Sequence, residues 1–334
     1  MRVLVTGGAG FVGSHACKAL AEAGHSPIVF DNLRSGHRAL VQWGPLEHGD
    51  ICDLTAISAV MRRHQPEAVM HFAALAYVGE SVAHPDLYYR TNVAGTLVVL
   101  EAMRAHNIKK IVASSTCATY GCPDQMPISE AATQIPVNPY GRSKLMAEHM
   151  MRDACGAFGL GVIALRYFNA AGADPEGAIG EEHDPETHLI PLLLQSALGL
   201  RSGIDIFGED YETCDGTCVR DYVHVADLAS AHVSALTRCE AGVFKVYNLG
   251  AGRGASVAEV VAAVRAVTGR VVPIRSAARR PGDPAMLIAD PSKATEALGW
   301  KPLRSELPTM IEDAWAWMTK YRSSAGFRPF PPAF

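Results

Sequence analysis

Short apolar runs alternate with longer segments of helical spacing through the first half of the chain. The apolar runs lie at residues 2–6, 26–31, 68–74, 109–115 and 161–169. Runs without polar alternation are typical of strands buried on both faces, which occur in parallel sheets whose connections are helices. The pattern therefore predicts an α/β fold built on a doubly wound parallel sheet.

The segments between these runs predict the helices that cover the sheet, at residues 11–23, 54–64, 85–106 and 139–158. After Asn169 the pattern loosens into a stretch rich in Gly, Pro and acidic residues, which predicts an excursion from the sheet. Residues 243–250 predict a returning strand, and two further helices are predicted at 256–268 and 305–320.

Composition bounds the size of the core and the class of partner. The chain has 334 residues, of which 49% are hydrophobic and 19% charged, enough for one large domain or two moderate ones. Its formal net charge is −4, and it has no Lys/Arg run of the kind that neutralises nucleic-acid phosphates. Since no apolar run approaches the ~20 residues that span a bilayer, we expect neither a nucleic-acid nor a membrane partner.

The N-terminal segment and the cysteines predict a cytoplasmic protein. Met1 leads directly into RVLVTGG, without the charged and apolar regions of a secretion signal. The eight cysteines are scattered, and only Cys214 and Cys218 lie close together, as C-x3-C without a second pair. We expect reduced thiols and no metal site, because a zinc site needs more ligands in register.

The first strand leads into a glycine-rich turn, TGGAGFVG at residues 6–13. It contains G-x-G-x-x-G at Gly8, Gly10 and Gly13 between a predicted strand and a predicted helix, which is the context that this motif requires. Glycines let the backbone approach a pyrophosphate, whose charge is stabilised at the helix N-terminus. The turn therefore predicts a dinucleotide site.

The second strand ends in an acid, Asp31. A carboxylate there can bond both ribose hydroxyls of an adenosine and would repel a 2′-phosphate, which favours NAD over NADP; Arg34 nearby would weaken that preference. Asp50 and Ile51, in GDICD, are expected near the adenine edge. The small residues of FAA (72–74) would let the next strand end close to the cofactor.

Tyr140 and Lys144 form Y-x-x-x-K in a predicted helix and so share one face, one turn apart. An ammonium beside a phenol favours the phenolate and is expected to lower the pKa of Tyr140, which would make it a general base for an alcohol or sugar hydroxyl. Active sites of doubly wound sheets lie at the carboxyl ends of strands, where SSTCATYG (114–121) stands. In that stretch Cys117 is expected to fill space, since no His-bearing motif accompanies it. His71, within an apolar strand, is expected to be a core residue.

These motifs occur together with TGGAGFVGSH, HFAALAYVGES, NPYGRSK, RYFN and GTCVRDYVHVADLA. In combination they resemble the extended short-chain dehydrogenase/reductase family from Val3 to about Trp317, and within it the UDP-glucose 4-epimerases. The resemblance implies an NAD-binding Rossmann domain of residues 1–168 and 219–250. It also implies a smaller mixed α/β domain for the UDP-sugar, of residues 169–218 and 251–334.

The resemblance also implies a chemistry. NAD would take a hydride from C4 of a UDP-sugar while Tyr140 removes the proton of the 4-hydroxyl, and the 4-keto sugar would turn over and receive the hydride on its other face. Lys144 would tune Tyr140 and hold the nicotinamide ribose, and Thr116, a Ser in many members, would bond the 4-oxygen. The implied catalytic residues are thus Tyr140, Lys144 and Thr116.

The binding residues expected from the motifs and the resemblance fall into two sets. The cofactor set is Gly7, Gly10, Phe11, Val12, Gly13, Asp31, Asn32, Asp50, Ile51, Phe72, Ala73, Ala74, Asn92, Ser114, Tyr140, Lys144 and Phe168. The substrate set is Thr116, Tyr140, Asn169, His188, Leu189, Phe207, Arg220, Arg280, Asp283 and Leu287. In the substrate set, the two arginines would bind the diphosphate, Asp283 the uridine ribose, and Phe207 would lie near the uracil.

Departures from the family pattern leave alternatives open. Sugar 4,6-dehydratases carry Asp-Glu where this chain has Cys117 and Ala118, so elimination is not expected. Leu287 stands where some members have a larger aromatic residue, Ala76 replaces a Lys, and Thr187-His188 replaces a pair of Asn. AYVGES with TCATYG is also similar to UDP-arabinose/UDP-xylose 4-epimerases, so a pentose or dual specificity is an alternative.

Two further alternatives are a net dehydrogenase and a non-catalytic sensor that only binds NAD(H). The sensor could dispense with the Tyr140–Lys144 pair, which this chain keeps. The resemblance also implies a homodimer, packed through the helix that begins near Tyr140 and the helix that precedes KKIVASS.

Overall fold

The computed structural model describes residues 1–280 and 282–324, so the predicted segment 251–334 includes residues 281 and 325–334, which lie outside the described part. Within the described part, no helix combines the length and apolar character needed to span a bilayer. The strands are β1 (Arg2–Thr6), β2 (Ser26–Asp31), β3 (Leu46–His48), β4 (Ala68–His71), β5 (Lys110–Thr116), β6 (Gly161–Tyr167), β7 (Asn169–Ala171), β8 (Ile204–Phe207), β9 (Val219–His224), β10 (Phe244–Leu249), β11 (Gly254–Ser256), β12 (Ile274–Ala277) and β13 (Met286–Leu287).

The helices are α1 (Phe11–Glu22), α2 (Leu54–His64), α3 (Val78–Ala83), α4 (Pro85–Tyr88), α5 (Gly95–Ala105), α6 (Pro139–Phe158), α7 (Leu189–Ala197), α8 (Val225–Leu236), α9 (Val257–Thr268), α10 (Ser292–Leu298) and α11 (Leu307–Ser324). A π-helical turn spans Tyr89–Ala94, and short 3-10 turns lie at Arg38–Leu40 and Cys117–Thr119.

A seven-stranded sheet with the order β10-β6-β5-β4-β1-β2-β3 carries the predicted parallel strands. Each neighbouring pair in it is parallel, as the continuous apolar runs predict. The chain leaves β1 for β2 on one side and later returns to place β4 on the other, so the direction of winding changes between β1 and β4. In such sheets this point opens a crevice at the carboxyl ends of the strands, where a ligand binds.

Apolar side chains bury both faces of this sheet. On one face, Val3 and Val5 of β1 pack with Ala16 and Leu20 of α1 and with residues of α8. On the other face, Leu4 packs with side chains from α2, α5 and α6. The sheet is therefore rigid in its centre, and its strand ends hold the loops at fixed positions.

Local capping explains why α6 begins and ends as the sequence predicts. The Asn138 side chain accepts a hydrogen bond from the N–H of Gly141 at 2.9 Å, and Pro139 occupies the first turn. At the other end, Gly159 adopts φ 70°, the left-handed conformation that commonly terminates a helix. This helix carries Tyr140 and Lys144 in its first two turns.

The helix predicted at 85–106 is not one regular α-helix. It is α4, then the π-helical turn Tyr89–Ala94, then α5. The π turn contains Asn92, whose amide bonds the backbone of Leu75 and the hydroxyl of Ser143. Pattern alone does not reveal such a turn, which is common at functional sites.

The strand predicted at 161–169 is also divided. β6 ends at Tyr167, and Asn169 begins β7, which pairs with β9 in a second sheet containing β11 and β13. The predicted return at 243–250 is confirmed as β10 on the edge of the first sheet. β9 lies in the second sheet, whereas α8 packs on α1, which covers the first sheet. The predicted segment 219–250 therefore contributes to both parts of the structure. The boundaries of the two domains remain a prediction.

Candidate active site

The glycine turn between β1 and α1 is pressed against neighbouring backbone. A Cβ on Gly7, where φ is 73°, would lie 2.5 Å from the backbone nitrogen of Ala73. A Cβ on Gly13 would lie 2.1 Å from the carbonyl oxygen of Gly7. Side chains at these positions would clash with backbone that cannot move, so the turn holds the start of α1 close to the end of β4.

The start of α1 can receive the diphosphate of a dinucleotide. Gly10 is its N-cap, with an extended backbone and no side-chain capping hydrogen bond. The first turn also contains Phe11 and Val12, and no acidic residue lies there to compete with an anion. The N–H groups of an uncapped helix start bind anions, so the turn fits the predicted NAD site.

Asp31 lies at the carboxyl end of β2, beside this turn. Its carboxylate accepts hydrogen bonds from the backbone N–H of Ala9 at 3.0 Å and of Leu33 at 2.8 Å. Burial raises its pKa, and those two hydrogen bonds oppose the rise. Next to it, Asn32 donates to the carboxylate of Asp50 at 2.8 Å. The predicted ribose and adenine residues are thus adjacent at the ends of β2 and β3.

Asn92 connects three parts of the cofactor crevice. Its side-chain oxygen accepts from the N–H of Leu75 at 2.8 Å, and its amide nitrogen donates to the carbonyl of Leu75 and to the hydroxyl of Ser143, both at 3.0 Å. The loop after β4, which carries Phe72, Ala73 and Ala74, is therefore tied to the catalytic helix α6.

The end of β5 and the start of α6 bring the predicted catalytic residues together. Lys144 is buried, and its ammonium donates to the carbonyl oxygen of Ser114 at 2.9 Å. Burial lowers the pKa of Lys144 to about 8, and the charge of Glu148 opposes that shift. The Ser114 hydroxyl shares a 2.6 Å hydrogen bond with the phenol of Tyr167.

Tyr140 differs from the expectation in one respect. Burial raises its pKa above its ordinary value, and the Tyr167 phenol adds to the rise, while a hydrogen bond with the side chain of Thr116 opposes it. The predicted lowering by Lys144 is not seen, because burial is the largest influence on the Tyr140 phenol. Thr116 is thus the residue that acts on the Tyr140 phenol in this structure.

The other reactive side chains near these strand ends, Cys117 and His71, are buried. Cys117 is buried, and burial raises the pKa of its thiol to about 12, so it is not a nucleophile at neutral pH. The ring nitrogens of His71 contact the hydroxyls of Thr6 at 2.7 Å and Thr96 at 3.1 Å, and burial lowers its pKa to about 3. His71 is the satisfied core histidine that the pattern predicts.

A buried polar network connects β5, β6 and α6. Arg166 of β6 forms a two-pronged contact with Glu148 of α6, with distances of 2.9 and 2.6 Å. Glu148 also accepts from the Ser115 hydroxyl at 2.5 Å, and Arg166 donates to the Tyr120 phenol at 2.9 Å. Tyr120 donates in turn to Asn248 at 2.7 Å, so Tyr120 belongs to this network.

The residues predicted to bind the diphosphate and the uridine contact one another in pairs. The Arg220 guanidinium of β9 donates to the carboxylate of Asp283 at 2.5 Å. The Arg280 guanidinium lies over the ring of Phe207, 4.0 Å from its centroid. Leu287 of β13 pairs in register with Arg220, and the backbone N–H of Asp283 donates to the carbonyl oxygen of Arg280 at 3.2 Å, which links the two pairs.

The residues between the predicted NAD site and the predicted UDP site lie at strand ends and at the start of α7. Phe168 is buried in a cluster that includes Cys117, with Leu287 packed against it. Asn169 begins β7, and His188 is the N-cap of α7, which begins at Leu189. Tyr167 was not among the predicted site residues, although its place in RYFN next to two of them was a usable signal.

Comparisons with known proteins agree with this geometry. Residues 3–250 match the NAD dependent epimerase/dehydratase family. A UDP-glucose 4-epimerase of Rhizobium leguminosarum bv. trifolii is 50% identical over 319 residues, which cover 95% of this chain and 97% of that protein.

Two solved structures are similar along nearly the whole chain. A UDP-glucose 4-epimerase from Brucella ovis in complex with NAD superposes with a TM-score of 0.91 and 50% identity, covering 94% of this chain and 97% of that one. A UDP-glucose 4-epimerase from Stenotrophomonas maltophila, with bound NAD and formylated UDP-arabinopyranose, has a TM-score of 0.93 and 40% identity, covering 97% of this chain and 100% of that one.

Proposed function

Since the chain belongs to the NAD dependent epimerase/dehydratase family, we propose that it is an NAD-dependent isomerase that inverts C4 of a UDP-sugar and interconverts UDP-glucose and UDP-galactose. The similar proteins named as UDP-glucose 4-epimerases support this reaction. The observation that carries it is the meeting of Thr116, Tyr140 and Lys144 at the end of β5, with no acid or base at positions 117 and 118.

The glycine turn at Gly7, Gly10 and Gly13, together with Asp31, would hold NAD+, which would supply a reversible acceptor for the hydride of C4. With NAD+ bound, the positive charges of the nicotinamide and of Lys144 would favour the Tyr140 phenolate, which would accept the proton of the 4-hydroxyl while Thr116 holds the 4-oxygen by a hydrogen bond. Loss of that proton together with the hydride turns C4 into a carbonyl. When the sugar presents its other face, the carbonyl gains the hydride and the Tyr140 proton, so the product differs from the substrate only in configuration.

Lys144 acts on this step through position and charge. Its hydrogen bond to the Ser114 carbonyl fixes it one turn beyond Tyr140 on the same helix. A pKa near 8 leaves the ammonium largely charged at neutral pH, so it can stabilise negative charge that develops on the Tyr140 phenol. It is also suited to hold the ribose next to the nicotinamide.

Dehydration is the other reaction in the family's name, and this chain lacks the acidic and basic side chains that it needs. Expulsion of water from C5 and C6 needs an added acid and base beside the 4-keto sugar. Ala118 has no functional side chain, and burial holds the Cys117 thiol protonated. The 4-keto sugar can therefore only recover its hydride.

Recognition of the UDP group rests on the second sheet and its neighbours. Arg220 and Arg280 offer planar guanidinium groups that can each bind two phosphate oxygens. Asp283 is suited to accept from a ribose hydroxyl, and Phe207 to pack on the uracil. The hydrogen bond from the Asp283 N–H to the Arg280 carbonyl joins the Arg220–Asp283 and Arg280–Phe207 pairs, which supports one contiguous site.

A second candidate substrate is a UDP-pentose, because AYVGES together with TCATYG is also similar to UDP-arabinose/UDP-xylose 4-epimerases. A pocket discriminates against a missing small group by only about 1–3 kcal/mol. Comparing kcat/KM on UDP-glucose and UDP-xylose tests this alternative.

An NMR assay of product configuration with both UDP-sugar pairs tests the proposed function. Conversion of UDP-glucose to UDP-galactose without net NADH release supports it. A stoichiometric release of NADH would instead indicate a dehydrogenase, and NAD(H) binding with no turnover would indicate a sensor.

We also propose a homodimer packed through α5 and α6. Both helices keep large apolar side chains exposed, with Leu97 at 48% and Met146 at 44%. Exposed apolar side chains on both helices support a subunit contact there. Light scattering should give twice the mass of one chain, and the double change Leu97→Glu, Met146→Glu should shift the mass towards one chain.

The division into an NAD-binding part (1–168, 219–250) and a UDP-sugar part (169–218, 251–334) is retained as a proposal, as is a cytoplasmic location. Free cysteines support the latter, since exposed Cys52, Cys122 and Cys214 are suited to a reducing compartment. Fractionation of cells that express the chain tests the location.

A further inference from the structure

Four side chains between β7 and α7 converge on one point outside the catalytic triad. They are Glu181, His183, Glu186 and His188, in the sequence EEHDPETH. One ligand atom from each lies within 4.8 Å of all the others. Of the four, only His188 was predicted to lie in a site, as a substrate-binding residue, and no metal site was predicted.

Nδ1 of each imidazole lies close to both carboxylates. Nδ1 of His183 and Nδ1 of His188 are each 2.9 Å from Oε1 of Glu181. Nδ1 of His188 is 2.9 Å from Oε1 of Glu186, and Nδ1 of His183 is 3.9 Å from Oε2 of Glu186. Ligands about 2.0–2.1 Å from a tetrahedral metal are about 3.3 Å apart, which falls within this range of separations.

The two carboxylates are adjacent and nearly inaccessible. The exposed fraction of the side chain is 8% for Glu181 and 6% for Glu186. Glu186 is held in place by hydrogen bonds from the backbone N–H of Thr187 at 2.7 Å and of His188 at 2.8 Å. Two buried carboxylates at one site need positive charge beside them, which either protonated imidazoles or a bound cation can supply.

We propose that Glu181, His183, Glu186 and His188 bind one divalent transition-metal ion, with Zn²⁺ as the best match. Imidazole nitrogen together with carboxylate oxygen is a donor set that suits Zn²⁺, whereas Mg²⁺ and Ca²⁺ take oxygen ligands alone. Four protein ligands complete a tetrahedral site, so the ion is structural and leaves no open position for catalysis.

The contacts around the cluster indicate what such an ion stabilises. The Tyr77 ring, in the loop after β4, lies 5.8 Å from the His183 ring and 6.3 Å from the His188 ring. The Phe11 ring, at the start of α1, lies 6.2 Å from that of His183. The ion would fasten the loop before α7 to two segments that line the proposed NAD crevice.

Metal content and spectroscopy of the intact holoenzyme test the proposal. After dialysis against a chelator, the protein should take up one equivalent of Zn²⁺ per chain, and Co²⁺ should give the visible absorption of a tetrahedral site. X-ray absorption should report only nitrogen and oxygen ligands near 2.0–2.1 Å. Sulfur at about 2.3 Å would assign the ion to a cysteine site and overturn the proposal.

The Zn²⁺ affinity of variants in this cluster tests whether the ion binds there. His183→Gln and Glu181→Gln should weaken Zn²⁺ binding at least about tenfold and abolish the Zn²⁺-dependent rise in Tm of the wild-type protein. His64→Gln is the matched control, because His64 contacts one carboxylate, that of Glu47, at 2.6 Å without further converging ligands. Its affinity for Zn²⁺ should equal that of the wild type.

Two results would overturn the assignment. One is the absence of stoichiometric uptake by the wild-type protein, which would leave the cluster as ion pairs between the glutamates and protonated histidines. The other is an equal loss of binding in His64→Gln. Circular dichroism establishes that each variant is folded, and the wild-type measurements decide the question if a variant is not.

Discussion

The ammonium of Lys144 donates a hydrogen bond to the carbonyl oxygen of Ser114 at 2.9 Å. This contact joins the second turn of α6 to the end of β5, and it fixes Tyr140 and Thr116 relative to each other. A buried cation thus holds the predicted catalytic residues together, and its lowered pKa makes the stability of the fold depend on pH.

The stability contributed by Lys144 should rise with pH. Burial lowers its folded-state pKa from 10.5 to about 8, so between these values the unfolded chain binds more protons than the folded one. The free energy of unfolding of the wild type minus that of Lys144→Met should therefore increase by about 2–3 kcal/mol from pH 7.5 to 10.5. Urea titrations across this range measure the difference.

Exposed Lys301 provides the control for that experiment. The corresponding difference for Lys301→Met should stay flat across the same pH range. A flat difference for Lys144→Met as well would show that its pKa is the same in the folded and unfolded chain.

Replacing the Thr116 hydroxyl should lower kcat. Thr116→Val removes the group that acts on the Tyr140 phenol and that would hold the 4-oxygen, and loss of such a hydrogen bond costs about 1–3 kcal/mol, or roughly 10- to 100-fold in rate. Thr116→Ser keeps the hydroxyl and should stay within a few-fold of wild type. Steady-state kinetics on UDP-glucose compares the two, and equal activity of the Val and Ser variants would refute the assigned role.

Breaking the buried Glu148–Arg166 pair should destabilise the fold. Arg166→Met leaves the Glu148 carboxylate buried without its partner, which typically costs about 3–5 kcal/mol in the free energy of unfolding. The double change Arg166→Met, Glu148→Leu removes both charges and should recover most of that loss. Urea unfolding of the wild type, Arg166→Met, Glu148→Leu and the double variant measures the coupling, and additive losses would contradict it.

Arg220 should act on UDP-sugar binding rather than on the chemical step. Arg220→Met should raise KM about 10- to 100-fold through loss of a charge-assisted contact to the diphosphate, with little change in kcat. The control is Arg275→Met, which breaks an exposed ion pair with Asp205 and should leave KM unchanged. Calorimetry with UDP alone checks that the loss lies in binding.

The sequence predicted α6 with its observed bounds because the signals at its ends are local. Asn138-Pro139 begins the helix and Gly159 ends it, each through its own backbone geometry. The parallel strands were equally readable, since burial on both faces leaves an uninterrupted apolar run.

The features that the sequence did not reveal depend on contacts between distant segments. The π-helical turn around Asn92 is tied to hydrogen bonds with Leu75 and Ser143. β9 joins the second sheet because β7 is its neighbour there, which no periodicity encodes. The raised pKa of Tyr140 reflects burial in the folded chain, which the Y-x-x-x-K spacing does not report.

The most direct test of the proposed reaction is NMR of the product formed from UDP-glucose that carries deuterium at C4. Hydride removal and return within one site predict UDP-galactose with the deuterium still at C4 and no net NADH, and Tyr140→Phe should slow its formation by about 10²- to 10⁴-fold. Deuterium lost to solvent, accumulation of a 4-keto product, or full activity of Tyr140→Phe would contradict the account.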